Sequence, residues 1–287
     1  VGVGLPLWVA DLLVTDRSFY KDSHPATPRS TRNGGPALFV DVTMLPRSTS
    51  APVRPRRFGR YTALDGLAVL LYLILPLAAA FLPLGRIAAV AADPTAAVFL
   101  LNLGIYAVVF VAALLAARRY VARDLRILGT RPWFTLGILP LMLVAMLIVT
   151  VLVVMLSGGV QVSVNQTGLE DMARQVPWYL TAPLLILIGP FVEEYIFRHL
   201  LIGKLSLYLN RWICYAASLL LFAALHIAGR EAITFQSLAP YLGFGLVLVF
   251  AYVWTANNLM FSYFLHALKN ALSVVLIYTM DISSLAQ

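Results

Sequence analysis

Charge is what this sequence has least of. Only 12% of its 287 residues are Asp, Glu, Lys or Arg, while 61% are hydrophobic. A soluble domain carries about 25% charged residues, so too little polar surface is left here to cover a water-soluble fold. A soluble globular enzyme and a disordered chain are both excluded. Cysteine is nearly absent as well. Cys214 is the only one, which excludes an intrachain disulfide and any cysteine-based metal site. Acidic residues are also scarce, 13 against 21 basic ones, for a net charge of +8. A basic excess can signal nucleic acid, but no helix-turn-helix, zinc-finger or aromatic-basic RNA motif accompanies it, and nucleic acid is not expected as a partner. Nine basic residues fall within the first 60 positions and most others flank long apolar runs. Positive charge in such places reports membrane topology.

Residues 1–60 are rich in Pro, Arg, Ser, Thr and Gly, as in Pro25–Pro36 and Pro46–Arg60. They bury too little apolar surface to offset the entropy of ordering, and are expected to form a disordered tail. Within it, Val3–Val14 is too short to span and lacks the basic n-region of a signal peptide; a short surface helix is expected there. Residues 61–287 are expected to form the transmembrane domain. Its apolar runs are Leu67–Leu84, Ala96–Ala117, Phe134–Leu156, Tyr179–Leu201, Ile213–Ile227, Leu238–Trp254 and Leu259–Met280. A spanning helix needs about 20 mostly apolar residues. The expected fold is an all-α, polytopic membrane bundle of about seven helices, with six to eight as the range. With the N-terminus inside, Arg54, Arg56, Arg57, Arg60, Arg118, Arg119, Arg123, Arg126, Arg131, Lys204 and Arg211 lie on the inner side, and only Arg86, Arg174 and Arg230 on the outer. That imbalance favours a cytoplasmic N-terminus. No internal repeat is visible, which argues against a two-fold transporter.

Ionisable residues inside apolar runs are costly, and function is the default reason for them. Two acidic residues, Glu193 and Glu194, sit deep within a run, in Gly189-Pro-Phe-Val-Glu-Glu-Tyr-Ile-Phe-Arg-His199. Glu194 and Arg198 are four apart and share a helix face, so they pair. Glu193 points about 100° away. Unpaired and removed from water, it is the carboxylate placed for general-base work, with Glu194 and Arg198 in support. Pro190 removes a backbone N–H and frees the carbonyl of Ile186; an opened backbone inside a span suits a cavity wall. His226 follows Phe222 by four on the fifth run, and His266 precedes Asn270 by four on the seventh. Counted from a turn near Leu209–Asn210, Glu193 and His226 both lie about 25 Å in, and so are level. His266 lies only a few turns past Asn257–Asn258, and joins them only if that second turn is recessed into the membrane.

Glu193-Glu194-x-x-x-Arg198, Phe222-x-x-x-His226 and His266-x-x-x-Asn270, in order on successive apolar segments, resemble the CAAX protease and bacteriocin-processing family of intramembrane endopeptidases, also called the Abi or type II CAAX prenyl endopeptidase family. The likeness covers roughly residues 176–280. It implies that Glu193 activates water with help from His226, that His266 and Asn270 form an oxyanion hole, and that Glu194, Arg198 and Phe222 hold the site. It implies a peptide, or a lipidated or membrane protein, as substrate, with membrane lipids around it. Metal-free chemistry is the favoured version; zinc is the alternative, held by Glu193, His226 and His266. The Gly-x-Ser-Gly, Gly-x-Gly-Asp and His-Glu-x-x-His signatures of other intramembrane proteases are absent, as is the Glu-x-x-His of di-iron enzymes. A non-catalytic membrane scaffold, immunity or regulatory factor, and a proton-coupled transporter, are the competing classes. Lys269 falls outside the motifs, as a snorkelling, pairing or substrate-contacting residue. So does His199, as a support for the site or a lipid-headgroup contact. Composition alone points to a bacterial cell membrane.

Overall fold

The structure, a computed structural model, describes residues 58–81, 94–159, 175–228 and 232–279. The expected disordered tail (up to residue 57), the surface helix at Val3–Val14, and Arg86, Arg174 and Arg230 lie outside the described residues. Among the described residues seven helices follow in order: α1 Ala63–Phe81, α2 Pro94–Gly129, α3 Pro132–Leu156, α4 Trp178–Leu207, α5 Arg211–Ile227, α6 Phe235–Trp254 and α7 Leu259–Thr279. No strand occurs among the described residues. Each apolar run of the sequence thus becomes one helix. α2, α3, α4, α6 and α7 have the length and apolarity to cross a membrane, whereas α5 and the apolar part of α1, Ala63–Pro76, are shorter. The chain is a polytopic helical membrane protein.

One boundary differs from expectation in an informative way. The second apolar run ends at Ala117, but α2 continues through Arg118, Arg119, Arg123 and Arg126 to Gly129, 36 residues in all. Arg, Leu and Ala are good helix formers, and nothing breaks the pattern before Gly129 and Pro132. At 1.5 Å per residue the helix is about 54 Å long, well beyond a bilayer core of about 30 Å. These arginines therefore sit on a helix rather than in a loop.

The helices divide by what they face. α3 buries only 11% of its apolar stretch, against 56% for α4 and for α6. Leu136, Leu141, Val144, Ile148 and Val151 of α3 lie exposed along its length, as side chains facing hydrocarbon do. α3 and α6 meet closely at Gly243, where an added Cβ would sit 2.6 Å from the Cα of Thr150. Small residues permit such backbone approach between membrane helices.

Two further buried carboxylates, Asp65 and Asp124, fasten the bundle at helix ends. Asp65 accepts the backbone N–H of Thr62 at 2.6 Å, and Thr62 Oγ1 accepts the Asp65 N–H at 3.3 Å, a reciprocal cap on α1. The same carboxylate accepts from Lys204 Nζ at 2.5 Å and from the Tyr195 hydroxyl, both on α4. Lys204 is therefore buried and paired rather than a free inner-loop charge. Asp124, near the end of α2, accepts the Leu259 N–H at 2.7 Å, and its carbonyl accepts from Asn258 Nδ2 at 3.3 Å. Asn258 in turn caps α7 by accepting the Phe261 N–H at 3.0 Å. Ala256 and Asn257, at φ 54° and 61°, make the tight left-handed turn before it. Held in this way, the α6–α7 turn is packed inside the protein against the end of α2.

Candidate active site

α4 carries the site and is not a plain helix. An α-helical turn, Trp178–Ala182, opens into π-helical turns over Pro183–Ile188, returns to α over Gly189–Glu193, and widens again over Glu194–Lys204. π-turns of this kind mark functional positions in many helices. The register alters the effect of Pro190. The Gly189 N–H bonds to the Leu184 carbonyl, five residues back. In that register the missing N–H of Pro190 frees the carbonyl of Leu185, not that of Ile186. Asn270 Nδ2 donates to this Leu185 carbonyl at 2.8 Å.

Glu193 closes the α-helical segment, and its Oε2 is the centre of the cluster. His226 Nε2, from the last turn of α5, lies 3.7 Å away, and His266 Nε2, from α7, also 3.7 Å. Three helices, α4, α5 and α7, thus converge on one oxygen. Each histidine is held by its other ring nitrogen. His226 Nδ1 lies 2.7 Å from the Phe222 carbonyl. His266 Nδ1 lies 3.1 Å from Glu194 Oε1. A carbonyl and a carboxylate only accept, so each Nδ1 carries a hydrogen, and in the neutral ring the Nε2 that faces Glu193 is bare. The side chains of Glu193 and His226 keep 14% and 18% exposure, whereas Glu194 and Arg198 have none. The cluster is open on one side and sealed behind.

Glu194 does more than pair with Arg198. It meets Arg198 Nη1 at 3.4 Å and also aligns His266, which spacing alone did not reveal. The Arg198 guanidinium lies 4.4 Å from the centre of the Phe222 ring, and its Nη2 donates to the Gly245 carbonyl at 3.4 Å. Phe222 thus supports the arginine with its face and His226 with its carbonyl. Phe244 on α6, 4.7 Å from the His266 ring and 5.4 Å from Phe222, completes an aromatic floor, and Tyr241 lies 4.7 Å from the His226 ring. Neither α6 residue was visible from the motifs, because no fixed spacing links them to the site. Asn270 stands one turn beyond His266 and is committed to the Leu185 carbonyl. The second hydrogen of its Nδ2 remains for another acceptor.

His199 lies apart from this cluster. It is fully buried, with ring centroids 4.3 Å from Tyr120, 5.5 Å from Phe58 and 5.7 Å from Tyr195. It therefore touches aromatic rings and not lipid headgroups. Phe58, within the 1–60 stretch assigned to the tail, is packed into this aromatic group. Glu193, His226 and His266 are zinc-type donors by residue type. Among the described residues, however, no group of three or more His, Cys, Asp or Glu has the arrangement of a metal site.

Residues 175–272 match the family described as type II CAAX prenyl endopeptidase Rce1-like. That segment contains Glu193, Glu194, Arg198, His226, His266 and Asn270. Over 150 residues the chain is 31% identical to the membrane-embedded CAAX protease MroQ of Staphylococcus aureus (strain USA300), covering 50% of this chain and 57% of the relative. The chain therefore spans somewhat over half the length of that relative. No solved structure matches it. The segment that carries the Glu193 cluster is thus similar to the Rce1-like family of type II CAAX prenyl endopeptidases.

Proposed function

We propose that the chain is an intramembrane endopeptidase that hydrolyses a peptide bond in a membrane-associated or lipidated substrate, with Glu193 activating the water. The observation that carries this reading is one carboxylate oxygen facing two bare Nε2 atoms, each at 3.7 Å. That separation is too long for a direct hydrogen bond and fits a bridging water.

One hydrogen of that water points at Glu193 Oε2, the other at His226 Nε2, and its lone pair at the scissile carbonyl. Glu193 takes the proton as the C–O bond forms. The protonated carboxyl then donates to His266 Nε2. The resulting imidazolium is stabilised at Nδ1 by Glu194, and it delivers the proton to the leaving amine as the C–N bond breaks. The free hydrogen of Asn270 Nδ2 is the donor for the oxyanion. Water adds across the amide, and no proton is left over. Every step uses side chains of this chain.

The chain is assigned to a bacterial cell membrane with its N-terminus cytoplasmic. Without the buried Lys204, ten arginines stand on the inner side against three on the outer, still a clear imbalance. The deciding experiment is Glu193→Ala in purified full-length protein reconstituted in liposomes. It should abolish cleavage of any peptide the wild type cuts, with insertion and folding intact. Normal turnover by this variant would remove the proposal.

A further inference from the structure

Lys269 is a charged residue in the interior of a membrane-crossing helix that neither the fold nor the mechanism uses. It is the eleventh of the 21 residues of α7, and so stands at the middle of a membrane-crossing helix. At 1.5 Å per residue both ends of the helix are about 15 Å away. That is beyond the reach of a lysine stem, so snorkelling to a headgroup phosphate does not explain the residue. Its position also follows His266 by three and precedes Asn270 by one. Its Nζ lies 5.1 Å from the centre of the Phe244 ring, the same ring that packs on His266. The side chain is half-buried, and so reachable.

The contrast with the other buried cations is the informative point. Arg198 has Glu194 at 3.4 Å and Lys204 has Asp65 at 2.5 Å. Lys269 has no carboxylate within 4.0 Å among the described residues; the acidic group that acts on it, at longer range, is Glu193. An ammonium at mid-membrane without a contact counter-ion is expensive, and such a residue is retained for a partner that arrives. A cation resting on an aromatic ring beside the water-activating group is a receptor for an anion carried in with the substrate.

We infer that Lys269 is a specificity-determining residue that binds a carboxylate of the peptide substrate, placed a few residues from the scissile bond. The inference rests on the endopeptidase reading above. The carboxylate belongs either to the C-terminus of the peptide or to an acidic side chain. Either would enter this low-dielectric site at a cost that the ammonium offsets.

The test uses full-length protein in liposomes and an internally quenched peptide, chosen from a library because wild type cleaves it and Glu193→Ala does not. The peptide is made with a free C-terminus, as the C-terminal amide, and with each Asp or Glu replaced by its amide. Wild type should lose about tenfold or more in kcat/KM when the recognised carboxylate is neutralised, the scale of one charged hydrogen bond. The amide that causes the loss identifies which carboxylate is read. Lys269→Met should cleave the acid and amide forms alike, at the lower rate. Lys269→Arg should keep the preference. Equal loss on both forms in Lys269→Met would show that the lysine acts only through Glu193 and overturn the assignment, as would a wild type indifferent to every neutralisation. Should Lys269→Met fail to fold, Lys269→Gln, which also removes the charge, takes its place with the same expected and overturning outcomes. If no peptide is cut by wild type, the endopeptidase reading itself fails, an outcome distinct from loss of discrimination.

Discussion

Replacing Glu194 separates support from chemistry. Its carboxylate lies 3.4 Å from Arg198 Nη1 and 3.1 Å from His266 Nδ1, and neither Glu194 nor Arg198 has any exposure. Glu194→Ala therefore strands a guanidinium inside the bundle. Removing one partner of a buried ion pair costs about 3–5 kcal/mol, and the hydrogen bond to His266 adds about 1 kcal/mol. Against a total stability of about 5–15 kcal/mol, this is a large fraction. For a chain of this size it corresponds to a fall in melting temperature on the order of 10 °C. Glu193→Ala removes a carboxylate whose nearest basic nitrogens are 3.7 Å away and which keeps partial exposure. Its melting point should stay close to that of wild type. The chain provides its own reporter. Cys214 is the only cysteine and is buried, so a thiol-reactive dye fluoresces as the bundle opens on heating. Glu194→Gln, which keeps an oxygen acceptor for His266 but loses the charge, should fall between the two. A Glu194→Ala protein that melts with wild type, or a Glu193→Ala protein that melts far below it, would refute the division of roles.

Other expectations follow from the same geometry. Chelation with EDTA should leave peptide cleavage intact; loss of activity restored by added zinc would make Glu193, His226 and His266 ligands and refute the metal-free mechanism. Asp65→Asn or Lys204→Met alone should cost about 3–5 kcal/mol by breaking a buried pair, read as earlier labelling of Cys214 on heating. The double variant should recover much of that loss, since no lone charge is then left inside; a double variant no more stable than either single one would contradict this.

Much of the site was legible because charge is so rare here. Glu193, Glu194, Arg198, His226 and His266 stand out in apolar runs, and four-residue spacing assigns Glu194 to Arg198 and leaves Glu193 unpaired. What could not be read were partners with no spacing to betray them. Glu194 reaches 72 residues along the chain to His266, and Lys204 reaches 139 residues to Asp65. Those distances are closed only when helices pack. The π-helical register of α4 was hidden too, because Pro190 marks an opened backbone without saying whether Ile186 or Leu185 loses its donor. Asp65 carries no motif that names the lysine it meets.

The sequence by itself determined the solvent, the number of helices and the identity of the polar residues to be reconciled with lipid. These are local properties, since apolar length and residue cost are read one segment at a time. The tertiary structure alone decided convergence. It packed the α6–α7 turn against the end of α2 by burying Asn258 against Asp124, brought His266 up to Glu193, and left Lys269 without a carboxylate in contact. Helix packing sets which polar groups meet, and no one helix contains that information.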